Sequence, residues 1–274
     1  MKGKVWKEEL GRAFRSRGFR ISMILGLFLT MSEAYSWYQR VRLGMEYERR
    51  KGILSYNPAT AFTMWFPFDA RDWRVIVFYL LMPLLATMPF AISYLQDRKS
   101  GYIKNIVLRS DKKTYLKAKY TAVFLSGGTV AAVPLLTNLL AVSLYLPWRV
   151  PDSVVTTILP SSVWAELLYT RPFLYTFLLL AVTFITAGLY ATLSLAATRF
   201  LQLKFAAFLA PFLVSLLIYN IAVPLGWKSL VSFYFLIPIQ SYGLQVPVYL
   251  GLLAAFALIG FFGFAFGALH DELI

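Results

Sequence analysis

FLYTFLLLAVTFITAGLYATLSLAAT, residues 173 to 198, runs for 26 residues without one charged side chain. About 20 apolar residues of helix cover the hydrocarbon core of a bilayer, so this stretch predicts a transmembrane helix. Five others resemble it: ISMILGLFLTMSEAYSWY (21–38), VIVFYLLMPLLATMPFAISYL (75–95), YTAVFLSGGTVAAVPLLTNLLAVSLYL (120–146), FAAFLAPFLVSLLIYNIAV (205–223) and VPVYLGLLAAFALIGFFGFAFGAL (246–269). In lipid each backbone polar group must bond within its own segment. The sequence therefore predicts an all-α polytopic membrane protein, one domain over residues 1–274 with six transmembrane helices. The first span is the most diluted, by Ser32, Glu33 and Ser36.

Composition agrees. Of 274 residues 59% are hydrophobic and only 15% charged, with a mean hydropathy of +0.63. The net charge of +14 flanks apolar runs, where it attracts anionic lipid and fixes topology, and nucleic acid is not an expected partner. Cysteine is absent, which removes disulfides, thiolate nucleophiles and thiolate metal sites.

Basic residues orient the spans. Seven lie in residues 1–20, eight in 96–119 and two in 199–204, against ten on the other side, seven of them in the long loop 39–74 with Glu46, Glu48, Asp69 and Asp72. The positive-inside rule places both termini in the cytoplasm. A cleavable signal peptide ending near Ser32-Glu33-Ala34 is the rival reading of the start. Against it, the basic region contains Glu8 and Glu9, and VWKEELGRAFRSRGF puts Trp6, Leu10, Ala13 and Phe14 on one face of an amphipathic interfacial helix.

Two segments on the outer side stand out. In loop 39–74, Phe62, Trp65, Phe66, Phe68 and Trp73 suggest aromatic material resting at the outer interface. Residues 225–243 are apolar, yet Pro224, Gly226, Lys228, Pro238 and Gly243 divide them, which predicts short helices dipping into the outer leaflet before the last span. Pro83, Pro89, Pro134 and Pro211 should kink or open their helices, and GFAFG at 263–267 permits close helix approach.

Chemistry is sparse. The chain has no GxxxxGK[ST] loop and no GxSxG, and its single histidine, His270, has no second histidine or cysteine to share a metal with. Within the spans Glu33, Asn138 and Asn220 are the candidates for a substrate path. The competing reading puts Glu33 near headgroups or a neighbouring helix's polar group, and makes the asparagines bonds between helices.

The remaining feature is DRKSGYIKNIVLRSDKKTYLKAKY, residues 97–120, with eight lysines and arginines. Gly101 and Ser100 offer a break. Ile103, Ile106 and Val107 then fall on one face of a two-turn helix, with Lys104, Asn105 and Arg109 away from it. Ser110 can cap the next helix with Asp111 in its first turn. So short a helix needs support, from headgroups or from a groove on another protein; a plain topology anchor is the simpler alternative.

In this loop Asp97, Arg98 and Gly101, Lys104-Asn105, Arg109 and YLKAK at 115–119 resemble the permease subunits of ABC type-2 exporters. The N-terminal interfacial helix, the six spans, LSLAATRFLQLKFAAFLAPF (193–212) and the broken outer segment extend the resemblance over nearly the whole chain. It implies that the loop is a coupling helix, with Gly101, Tyr102, Ile103, Lys104, Asn105, Ile106 and Arg109 facing a separate ATP-binding subunit. It also implies a second permease copy, identical or related, with ATP and magnesium held by the partner and no cofactor by this chain. A substrate such as a peptide, an antibiotic or a lipid-like molecule would move outward across a prokaryotic plasma membrane. The alternatives are an ion-coupled secondary transporter, against which stands the near absence of ionisable residues in the spans, and a non-transporting membrane enzyme, which lacks an acid-base or nucleophile cluster.

Overall fold

A computed structural model describes residues 2–52, 59–108, 111–152 and 158–269. Among these the fold is all helical: α1 (Lys2–Arg15), α2 (Arg17–Lys51), α3 (Trp73–Thr87), α4 (Ser93–Lys99), α5 (Tyr102–Val107), α6 (Lys112–Ser143), α7 (Ala165–Thr170), α8 (Pro172–Phe200), α9 (Lys204–Ala222), α10 (Ser232–Leu236) and α11 (Val246–Leu269). One isolated antiparallel bridge, Ser162 to Tyr242, is the nearest thing to a strand among them. Four helices, α6, α8, α9 and α11, are long and apolar enough to cross a bilayer, and α3 is a shorter apolar helix. The molecule is consistent with a polytopic helical membrane protein. Phe28, Phe177, Phe205 and Ile259 point outward, each more than half exposed, as side chains that meet lipid do.

The central pair is α6 and α8. Lipid tails give helices no hydrophobic reason to associate, so close packing between small residues must do it. A Cβ on Gly128 would lie 2.7 Å from the Phe184 carbonyl oxygen, and one on Gly188 2.7 Å from the Phe124 ring. Both positions exclude any side chain. Around this pair α1, α2 and α3 pack on α6, while α9 and α11 pack on α8. Two hydroxyl bonds fix the α8 side: Thr186 Oγ1 to Tyr249 Oη at 2.9 Å, and Tyr190 Oη to Ser232 Oγ at 2.9 Å.

Several boundaries differ from the sequence reading. The helix that holds the first expected span, α2, runs from Arg17 to Lys51 rather than 21–38, and closes on Gly52 in the left-handed region. The expected span 75–95 is broken between Thr87 and Ser93. Pro83, Pro134 and Pro211 stay inside their helices, whereas Pro89 sits in the break. There Ser16, which caps α2 by accepting from the Phe19 amide, donates its hydroxyl to the Pro89 carbonyl at 2.7 Å. Gly18 lies so tightly on the Met88 carbonyl that a Cβ would come within 1.9 Å of its oxygen.

The aromatic cluster of 62–68 is not at the surface. Phe62, Trp65, Phe66 and Phe68 are buried and only Trp73, 61% exposed, faces outward. The reason is polar: Trp65 Nε1 donates to the Leu135 carbonyl at 2.8 Å and the Phe66 amide to Asn138 Oδ1 at 3.0 Å, drawing the segment against α6. Residues 225–243 do form short pieces, α10 between 3-10 turns at Lys228–Leu230 and Pro238–Gln240. The next helix is capped by Asp111 itself, whose Oδ1 accepts from the Lys113 amide at 3.4 Å; Ser110 lies outside the described residues.

Candidate functional site

The loop between α4 and α6 begins with a reversal. Gly101 has φ of +72°, a conformation glycine adopts without the penalty a Cβ brings. It launches α5, whose Ile103 is 2% exposed in the main core, with Tyr102 and Ile106 half-buried against that core. The apolar stripe is thus taken up by this chain's own bundle rather than offered outward. Lys104 and Asn105 are exposed, and Leu108 is 84% exposed. Arg109 and the side chain of Val107 lie outside the described residues.

Beneath α5 lies an ionic core. Lys119 of α6 is fully buried and places Nζ 3.0 Å from Glu9 Oε2 of α1 and 2.5 Å from Asp97 Oδ2 of α4. Arg12 of α1 closes the square, with Nη1 2.6 Å from Glu9 Oε1 and Nη2 2.5 Å from Asp97 Oδ1. Tyr115 donates to Asp97 Oδ2 at 2.8 Å, and the Phe90 ring lies 3.9 Å from Lys119 Nζ. Two cations thus meet two carboxylates, with further donors filling the lone pairs, which is the condition for burying charge at all. Burial works against both the Arg12 charge and the Asp97 carboxylate. Pairing outweighs it: Arg12 is held above its usual range by Asp97 and Glu9, and Asp97 below its own by Lys119 and Arg12.

Tyr102 ties α5 to this core. Its hydroxyl donates to Glu8 at 3.1 Å and Glu9 at 3.3 Å, and the Arg12 guanidinium lies 4.2 Å from its ring centre. Beside α5, Arg98, Lys99, Gly101 and Lys104 line a cleft of 360 Å³ whose far wall is Gln202, from the turn between α8 and α9. One end of the molecule therefore carries a basic cleft, a short helix and a rigid joint of α1, α4 and α6.

Sequence reading missed this joint. It placed Glu8, Glu9 and Lys119 along an interfacial helix and a basic loop, and α1 does present Trp6, Leu10, Ala13 and Phe14 on one face, but toward the protein. The available signal was local: Tyr115, Ala118, Lys119 and Ala122 share one helical stripe, and all four are buried. A lysine on such a stripe requires a carboxylate from elsewhere in the fold.

The path candidates separate. Asn138 Nδ2 donates to the Thr30 carbonyl at 2.7 Å and to Glu33 Oε2 at 2.8 Å, so α2 and α6 share a sealed polar node in which Glu33 is fully buried. Its other oxygen, Oε1, meets no donor among the described residues. Asn220 is apart from them, exposed on α9 and bonded to the Leu216 carbonyl of its own helix. No group of three or more histidine, cysteine or acidic side chains that could hold a metal occurs among the described residues. No protein-family description, curated protein or solved structure matches the chain.

Proposed function

We propose that this chain is the transmembrane subunit of an ATP-binding cassette exporter of the type-2 kind. In this reading α2, the broken segment 75–95, α6, α8, α9 and α11 make six crossings, α1 lies along the inner surface, and α10 with its flanking turns sits in the outer leaflet. Both termini are cytoplasmic in a prokaryotic plasma membrane. A separate ATPase, holding ATP and magnesium, drives a pair of such permeases to export a peptide, antibiotic or lipid-like substrate.

The observation that carries the reading is the mounting of α5. A helix of six residues cannot transmit force unless it is anchored. Here Ile103 and Tyr102 fasten it to a joint that includes α6, leaving Lys104, Asn105 and Leu108 for a partner. Exposed polar rim and buried anchor make a part that moves with the helices behind it.

The test is a pull-down of the tagged chain from its native membrane in mild detergent. Wild type should bring down an ATP-binding protein, and Lys104→Glu with Leu108→Asp should lose it at unchanged insertion. Substituting Ile103 is unsuitable, because its side chain belongs to this chain's core. Absence of any ATPase from the wild type would end the exporter reading. A second reading, ion-coupled transport, draws on the unpartnered Oε1 of Glu33. It predicts substrate movement that follows a proton gradient without ATP and fails in Glu33→Gln.

A further inference from the structure

An apolar groove of 510 Å³ runs between α1, α6 and α11. Its wall includes Trp6, Tyr120, Phe261 and Phe264, with the Tyr120 and Phe261 rings edge to face at 5.7 Å. Lys113 and Lys117 stand at one end, four residues apart on the same face of α6 as Tyr120, and both are exposed. Neither forms an ion pair with a described residue. The contrast with Lys119 is direct: two residues further on, the chain provides two carboxylates, while here it provides none.

We infer that this groove is a binding site for an anionic phospholipid, with an acyl chain along the aromatic wall and the phosphate on Lys113 and Lys117. The charge at one end and the apolar surface along the rest reproduce the order of groups in such a lipid. The volume lies in the range of small-molecule sites. Both α6 and α11 are long and apolar enough to stand in a bilayer, so a lipid reaches the groove by lateral diffusion. The inference needs the chain to lie in a bilayer and is independent of the transport reading; loss of the ATPase partner would leave it standing.

The experiment is thermal unfolding of the detergent-purified full chain, titrated with phosphatidylglycerol or phosphatidylcholine. Two lysines at about fivefold each give roughly a twenty-five-fold lower half-saturating concentration for phosphatidylglycerol. Lys113→Gln with Lys117→Gln should erase that preference, and Arg49→Gln with Arg50→Gln, an equal loss of charge at the end of α2, should keep it. Ala265→Trp, which fills the groove, should weaken the response to both lipids. Equal half-saturation by the two lipids overturns the proposal, as does a preference that survives the lysine changes. The same shift from inorganic phosphate alone would identify a simple anion site instead. A change of oligomeric mass in Ala265→Trp with an intact lipid response would place a second copy over the groove, and overturns it equally.

Discussion

Lys119 shows what a single position can hold. Lys119→Met removes one cation from a set of four charges in which Glu9, Asp97 and Lys119 are buried and Arg12 is 32% exposed, leaving Glu9 and Asp97 to share Arg12. Breaking a buried pair in this way costs about 3–5 kcal/mol. Thermal unfolding should show a large drop, against a small one for Tyr102→Phe, whose hydroxyl makes only the outermost bonds of the joint, at 3.1 and 3.3 Å. The pairing itself was illegible in the sequence, because residues 9, 97 and 119 carry no mark of mutual proximity. Glu33 and Asn138 were half legible: their polarity singled them out, and the competing reading of a bond between helices describes what Asn138 does. Asn220 has the same side chain and bonds only within its own helix, so residue type alone did not distinguish them.

At the scale of elements, glycine separates two kinds of helix. On α6, Gly128→Leu would drive a side chain into the Phe184 carbonyl, and overpacking of this order costs about 1–3 kcal/mol. On α1, Gly11 has nothing within 4 Å of where a Cβ would stand, so Gly11→Ala should stabilise by about 0.5–1 kcal/mol. Opposite signs in thermal unfolding of the two variants would confirm that α6 packs closely on α8 at Gly128, while α1 leaves room at Gly11. Elements were the most legible level. Five of the six apolar runs lie in single helices, four of them long and apolar enough to cross a bilayer, while the run 75–95 is broken after Thr87 and the chopped segment 225–243 became short pieces. What the periodicity did not reveal was which proline would open its helix. Pro83, Pro134 and Pro211 are equal candidates by sequence, but Pro89 has a hydroxyl from Ser16 to take its carbonyl and a glycine shaped to the Met88 carbonyl. The decision comes from a segment some seventy residues upstream. The buried aromatic loop has the same origin, since Trp65 and Phe66 were drawn inward by acceptors on α6.

The whole molecule answers to acid through two carboxylates outside the crossings. Arg74 holds the Asp72 carboxyl below its usual range against a smaller opposing effect of burial, and at Asp97 Lys119 and Arg12 outweigh burial. A carboxyl with a lowered folded pKa adds stability above its unfolded value and loses it as pH falls through the folded one. The melting temperature in detergent should therefore hold from neutrality to about pH 4 and fall below that, with a shallower fall in Asp97→Asn. A curve that declines already at pH 6 would point to other groups. The ionic joint also has a consequence for how the chain is made. Its four charged members enter the ribosomal exit tunnel in the order 9, 12, 97, 119. Until Lys119 emerges, a nascent chain carries two carboxylates with a single counter-charge, and α1 has no balanced place to dock. The joint therefore closes in full only after the first two turns of α6 have been made.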